Sequence, residues 1–275
     1  MVFDGSKVFK VGRMTELEDA AKIYIDTLFP EIYDEVLELL RRGVGVYLLK
    51  DATKLKKLRM ESNMRKTDEN DSVPLSRIPR EAFRPLTAEE LELKIRIEPL
   101  ISEYRQIVRW KKTLKNLISR GFVYNFRETL RLMEADRKRL SRKIVKQVTA
   151  LPIYGEVYKK ACEALGIKKS TELAILTIEL PLHLPLAKLK GLLGLIPGGN
   201  EGKCNHKLRN HLVAFAAGLY ISVRKGANFS NKVTEAVNCL PKEQAMPKLQ
   251  LAALKVPRMM YLTAVKSLAG GQLEP

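Results

Sequence analysis

The chain has 275 residues, 45% of them apolar, with a formal net charge of +18 and a sequence pI near 9.8. That length and apolar content suit one large domain or two ordinary ones with real cores, and they exclude a disordered chain. No uncharged run of about 18 apolar residues occurs, so no membrane span is expected, and the opening MVFDGSKVFK lacks the apolar stretch of a secretory signal.

In chain order, Val2-Phe3 and Val8–Val11 flank the turn Asp4-Gly5-Ser6 and predict a β-hairpin. Thr15 with Glu18 has capping-box spacing and predicts a short helix. KIYID (22–26) reads as a strand of β-branched and aromatic residues. PEIYDEVLELLRRG (30–43) reads as a helix, with Pro30 at its start, an apolar stripe at Ile32, Val36, Leu39 and Leu40, and Gly43 at its end. The continuous apolar run VGVYLLK then predicts a buried strand, and strand–helix–strand with short links predicts a parallel βαβ unit. A polar, Lys-rich linker follows, then MRKTDENDS (64–72), then a segment punctuated by Pro74, Pro79 and Pro85.

Thr87 with Glu90 forms a second capping box and opens a long helix to about Ser119, with a kink expected at Pro99. Its apolar residues Ile97, Leu100, Tyr104, Ile107, Leu114 and Ile118 follow heptad steps, with Lys111 in the gap. A second heptad helix carries Phe126, Leu130, Met133, Leu140, Ile144 and Val148, with Arg137 in its gap. Together they predict an antiparallel hairpin with its basic residues on the outside. From LPIYGEVYKKACEALGI onward the pattern is helical, and ALGIKKSTELAILTI is similar to a helix-hairpin-helix, whose backbone N–H groups commonly meet a phosphate. The predicted architecture is mixed: an α/β domain over 1–86, a helical hairpin over 87–150, and a mostly α-helical domain over 151–275.

The charge is concentrated. Arg105 to Lys146 holds fourteen Lys and Arg against Glu128, Glu134 and Asp136, a net +11. Such concentration on one element is the footprint of a nucleic-acid surface, and a solvated face is the plainer alternative. Scarce base-reading side chains point to phosphate contacts, with Arg109, Lys112, Lys138, Arg139 and Lys143 as candidates. Three cysteines without CxxC spacing read as reduced thiols of a cytoplasmic protein. Cys204, His206 and His211 lack both a fourth ligand and the spacing of a zinc site.

MRKTDENDS places Asp68 and Asp71 on one helical face. They suit first-turn acids facing a helix macrodipole, and they also suit metal ligands. The order of the pieces favours the second use. The K-T-D-x-x-D pattern at Lys66–Asp71, the G-L-x-P at Gly194–Pro197 and the K-x-N-x-x-L-R-x-x-L-V run from Lys203 occur in sequence. From about Lys22 to Leu268 the chain resembles insertion-sequence transposases that pair an N-terminal RuvC-like DEDD nuclease domain with a C-terminal serine-bearing domain. The resemblance implies Asp26, Asp68 and Asp71 as catalytic, magnesium-binding acids clamping a phosphodiester. It also implies Arg65, Lys66, Lys203, Lys207 and Arg209 at phosphates, with DNA and a structured guide RNA as partners. Separately, the apolar seam from Ile97 to Ile118 and Phe126 to Val148 predicts a homodimer or larger oligomer through the hairpin.

Two departures are visible. The strand carrying the family's first aspartate has no counterpart, because Asp4 lies only 22 residues before Asp26. GLIPGGNEGKCNHK also contains no serine; Cys204 beside His206 is the only alternative nucleophile there, and a thiol needs an adjacent base to serve. Strand cleavage is therefore expected to be impaired, which leaves a binding protein or a structural assembly protein as the alternative use of the same fold.

Overall fold

In the computed structural model, residues 2–17, 19–51, 53–63, 65, 67–121, 126–196 and 204–270 are described, except for the side chains of Asp68, Glu69 and residues 268–270. The chain divides into two units, Met1–Pro99 and Leu100–Pro275.

In the first unit, β1 (Val2–Phe3) pairs antiparallel with β2 (Val8–Phe9). The Asp4 carboxylate closes the turn by accepting from the backbone N–H groups of Ser6 and Lys7. The second strand stops at Phe9 rather than running to Val11. The helix expected from Thr15 is a single 3-10 turn, Met14–Glu16. Its cap comes from Glu16, whose carboxylate accepts from Gly12 and Arg13 N–H; Glu18 lies outside the described residues.

The βαβ unit forms as the apolar pattern requires. β3 (Lys22–Ile25) pairs parallel with β4 (Gly45–Leu49) through α1 (Tyr33–Arg41), and Gly43, at φ 86°, supplies the left-handed turn out of the helix. Side chains alternate across this sheet. Ile23, Ile25, Val46 and Leu48 face the α1 stripe of Val36 and Leu39, both fully buried. Tyr24, Tyr47 and Leu49 face the opposite cluster with Leu55, Ile78 and Phe83, where Tyr24 stacks on Tyr47 at 5.0 Å. Burying each such aliphatic side chain contributes roughly 1.5–3 kcal/mol.

Two elements not foreseen from the pattern contribute to that second cluster. The Lys-rich stretch is a helix, α2 (Thr53–Glu61), anchored by buried Leu55. Phe83–Pro85 is a third strand, β5, antiparallel to β4; its proline sits at the sheet's rim, where a missing N–H is tolerated. α3 (Asp68–Ser76) packs on α2 and on β1, β2 and β3.

α4 (Ala88–Ser119) starts at the expected cap, with Thr87 Oγ1 accepting from Glu90 N–H at 3.1 Å. Glu90's own carboxylate pairs with Arg84 at 2.7 Å instead of returning to the cap.

In the second unit the remainder of α4 and α5 (Arg127–Thr149) run antiparallel, with Lys111 against Glu134 and Tyr104 against Arg137. Beyond them lie α6 (Pro152–Leu165), α7 (Thr171–Glu179), α8 (Leu186–Leu192), α9 (His206–Arg224), α10 (Asn231–Asn238) and α11 (Lys242–Gly270). The protein is thus mostly helical with a small mixed sheet. α7 is buried along its length from Leu173 to Thr177 and packs against α5, α6 and α9, while α11 covers α6 and α9. Between α6 and α7, Gly166 adopts φ 69° and its missing Cβ would stand 2.5 Å from Ser230 N, so both conformation and space require glycine there. No helix among the described residues is long and apolar enough to cross a membrane.

Candidate nucleic-acid interface and acidic helix start

Thr67 Oγ1 accepts from Asn70 N–H at 3.1 Å, and Asn70 Nδ2 donates to Arg65 O at 3.0 Å. These two bonds fix Asp68 as the first residue of α3 and place Asp71 one turn on. Asp26 is half-buried at the bend that ends β3, the strand on which α3 packs. The Asp71 carboxylate is engaged by Arg59 of α2 at 3.0 Å, with the two side chains only 17% and 14% exposed. A divalent cation needs several oxygen donors around it. Asp71 already holds a guanidinium, and among the described residues no three acid, His or Cys side chains group to hold a metal. The described donors do not fit a magnesium site on their own. The Asp68 side chain and Lys66 lie outside the described residues; Arg65 is exposed.

The hairpin sorts its cations into two sets. The three acids of the segment are all taken: Glu134 by Lys111 and Arg137, Glu128 by Arg131, Asp136 by Arg139. Arg105 reaches Glu179 on α7. The basic residues therefore do not all coat the outside. Lys111 and Arg137 occupy the two gaps in the heptad pattern and turn inward onto Glu134. By contrast Arg109, Lys112, Lys115, Lys138, Lys143 and Lys146 are exposed and make no ion pair among the described residues. Unpaired cations on adjoining helices carry the potential that a polyanion meets.

The inward set belongs to a polar chain. Tyr104, 2% exposed, donates its hydroxyl to Glu172 at 2.6 Å and takes a bond from Arg137. Burial, then the Glu172 charge, raise its pKa. Arg105 Nε donates to His211 Nε2 at 2.9 Å, and Tyr104 stacks on the imidazole at 6.4 Å. Hydrogen bonds from Arg137 and Lys111 hold the Glu134 carboxyl down at about 2. Removing one member of a partly buried ion triad leaves the others without compensation. Glu134→Ala is expected to cost about 2 kcal/mol in urea unfolding. Leu, Leu and Met placed together at Lys111, Glu134 and Arg137 should instead be neutral or stabilising. A Glu134→Ala midpoint equal to that of the parent protein would show that this triad carries no stability.

At the start of α9, Asn205 caps the helix by accepting from Leu208 N–H at 3.1 Å. Cys204 Sγ stands 3.6 Å from His206 Nδ1 and 3.8 Å from Arg209 Nη1, and Gly194 packs against the same cysteine. Cys204 is 9% exposed. Lys207 is exposed and Arg209 half-buried; Lys203 and Pro197 lie outside the described residues. Sequence pattern missed Arg59, the partner of Asp71, and the inward polar chain ending at His211. Heptad gaps at Lys111 and Arg137 were the available signal for the latter.

No family model matches the chain, and no curated protein matches it in sequence.

Proposed function

We propose that the chain is a nucleic-acid-binding protein derived from the RNA-guided insertion-sequence transposases, holding DNA and a structured RNA by their phosphates, with strand cleavage impaired. The observation that carries this reading is the set of exposed, unpaired cations on α4 and α5, left over after every acid of that segment is paired. In this reading the first unit is a RuvC-like remnant, α4 and α5 are a coiled-coil hairpin, and α6–α7 is a helix-hairpin-helix. In this reading magnesium belongs to the ancestral chemistry of Asp26, Asp68 and Asp71. The free thiols Cys162, Cys204 and Cys239 fit a reducing, cytoplasmic setting.

Two observations support impairment: Arg59 on Asp71, and a loop after Gly194 that holds no serine. The expected result of a strand-cleavage and joining assay, with magnesium and candidate RNA, is binding with little or no product. Robust recombination that depends on Asp68 would overturn this and point to Cys204, or to a second subunit, as the source of the nucleophile.

The hairpin also supports assembly with a second copy. Beyond Tyr104 its seam is only half-buried at Ile107, Leu114, Leu130 and Met133, and Trp110 (50%) and Leu132 (57%) are exposed. Apolar surface of this kind marks interaction sites. Light scattering on a micromolar solution is expected to give the mass of a dimer, and Trp110→Lys to shift it toward monomer; a monomeric parent protein would reject the assembly.

A further inference from the structure

We infer that a backbone phosphate of the bound nucleic acid seats in a cleft between α5, α6 and the turn that leads into α7. This rests on the reading of the chain as a nucleic-acid binder and extends the contact from the hairpin's α5 onto α6 and the turn beyond it.

The cleft is about 670 Å³. Five cations line it from three elements: Arg142 and Lys146 on α5, Lys159 on α6, and Lys168 and Lys169 on the turn, with Glu163 as the acid among them. Lys146, Lys159, Lys168 and Lys169 are exposed and make no ion pair among the described residues. An excess of four positive charges around one concavity focuses the field on an anion.

The wall is built rather than loose. The Tyr158 hydroxyl accepts from Ser170 N–H at 2.9 Å and donates to Ser170 O at 3.2 Å, which fixes the turn. Ser170 Oγ caps α7, and Ser141 on α5 hydrogen-bonds Thr171, tying the two walls together. Gly166, whose left-handed φ of 69° ends α6, opens the turn that carries Lys168 and Lys169.

A nucleic-acid backbone suits the cleft better than a free anion because the cations continue out of it. Lys138, Arg142 and Lys146 recur every four residues on α5. At 1.5 Å per residue they span about 12 Å, the length of three to four phosphates along one strand.

The test uses the full chain and a duplex of arbitrary sequence. Changing Lys146→Ala, Lys168→Ala and Lys169→Ala together should flatten log affinity against log salt by roughly 2 to 3 units. Duplex bound to the parent protein should protect Lys168 and Lys169 from acetylation, a readout that needs no variant. An unchanged slope while the parent protein binds would overturn the cleft and leave the broader reading intact. Failure of the parent protein to bind any nucleic acid would remove both. Equal protection by inorganic phosphate or a mononucleotide would make this a small-anion site and overturn the backbone assignment.

Discussion

Replacing Arg109, Lys112, Lys138 and Lys143 with alanine will flatten the salt dependence of duplex binding by roughly 3 to 4 units, about 0.9 for each phosphate that is no longer neutralised. Between 50 and 200 mM salt the parent protein should therefore lose about two decades more affinity than the variant. The four side chains are exposed and outside any ion pair among the described residues, so their removal leaves the helices' internal packing in place. Arg139 is a poorer choice because Asp136 holds it at 2.9 Å. The loss should be nearly the same for duplexes of unrelated sequence, because phosphate contacts carry no base information. A variant with the parent slope would move the interface away from the hairpin.

Mild acid will destabilise the second unit through His211. The ring is 7% exposed and accepts from Arg105 at Nε2, so it is held neutral with its proton on Nδ1. Burial, then the Arg105 charge, bring its pKa down from 6.5 to about 4. Tyr104 stacks on the ring, and Arg105 is shared with Glu179 on α7. Between those two values only the unfolded chain takes up the proton. Stability is therefore fully present above about pH 6.5 and falls as the pH drops toward 4. The expected loss is roughly 2 kcal/mol from pH 6.5 to 4.5, at up to 1.36 kcal/mol per unit. Glu134, depressed to about 2, loses its contribution only below its ordinary value of 4.5, so it does not obscure that window. His211→Gln keeps an acceptor for Arg105 and cannot titrate. Urea midpoints for that variant should be flat over the same range; a variant that keeps the parent slope would place the acid sensitivity elsewhere.

The parts of the fold legible in the sequence were those where one face repeats. Val36 and Leu39 on α1, the run Gly45–Leu49 and the glycine between them specify a parallel unit with little ambiguity. α2 was hidden because TKLKKLRME carries little apolar patterning and buries one residue, Leu55. β5 was hidden because a three-residue strand ending in Pro85 has no period to read, and its pairing is set by β4, far away in sequence. Glu16 won the turn that Thr15 and Glu18 suggested, since its carboxylate reaches two N–H groups at once.

The candidate site was legible in position but not in pairing. Asp68 and Asp71, read as first-turn acids, marked where α3 begins. Nothing local could show that Arg59 would face Asp71, because that contact depends on a helix the pattern did not reveal. On the hairpin, Lys111 and Arg137 read as outer cations. Which residues meet across two antiparallel helices depends on their register, and that register puts Lys111 on Glu134, which Arg137 reaches from one turn along its own helix.

Phosphate contacts should carry this protein's hold on nucleic acid. The most direct measurement is the dissociation constant of the full chain on two duplexes of unrelated sequence, followed across salt concentration. Affinity should fall steeply with salt, with nearly equal slopes and nearly equal affinities on both duplexes. No detectable binding at low salt, or binding indifferent to salt, would contradict it.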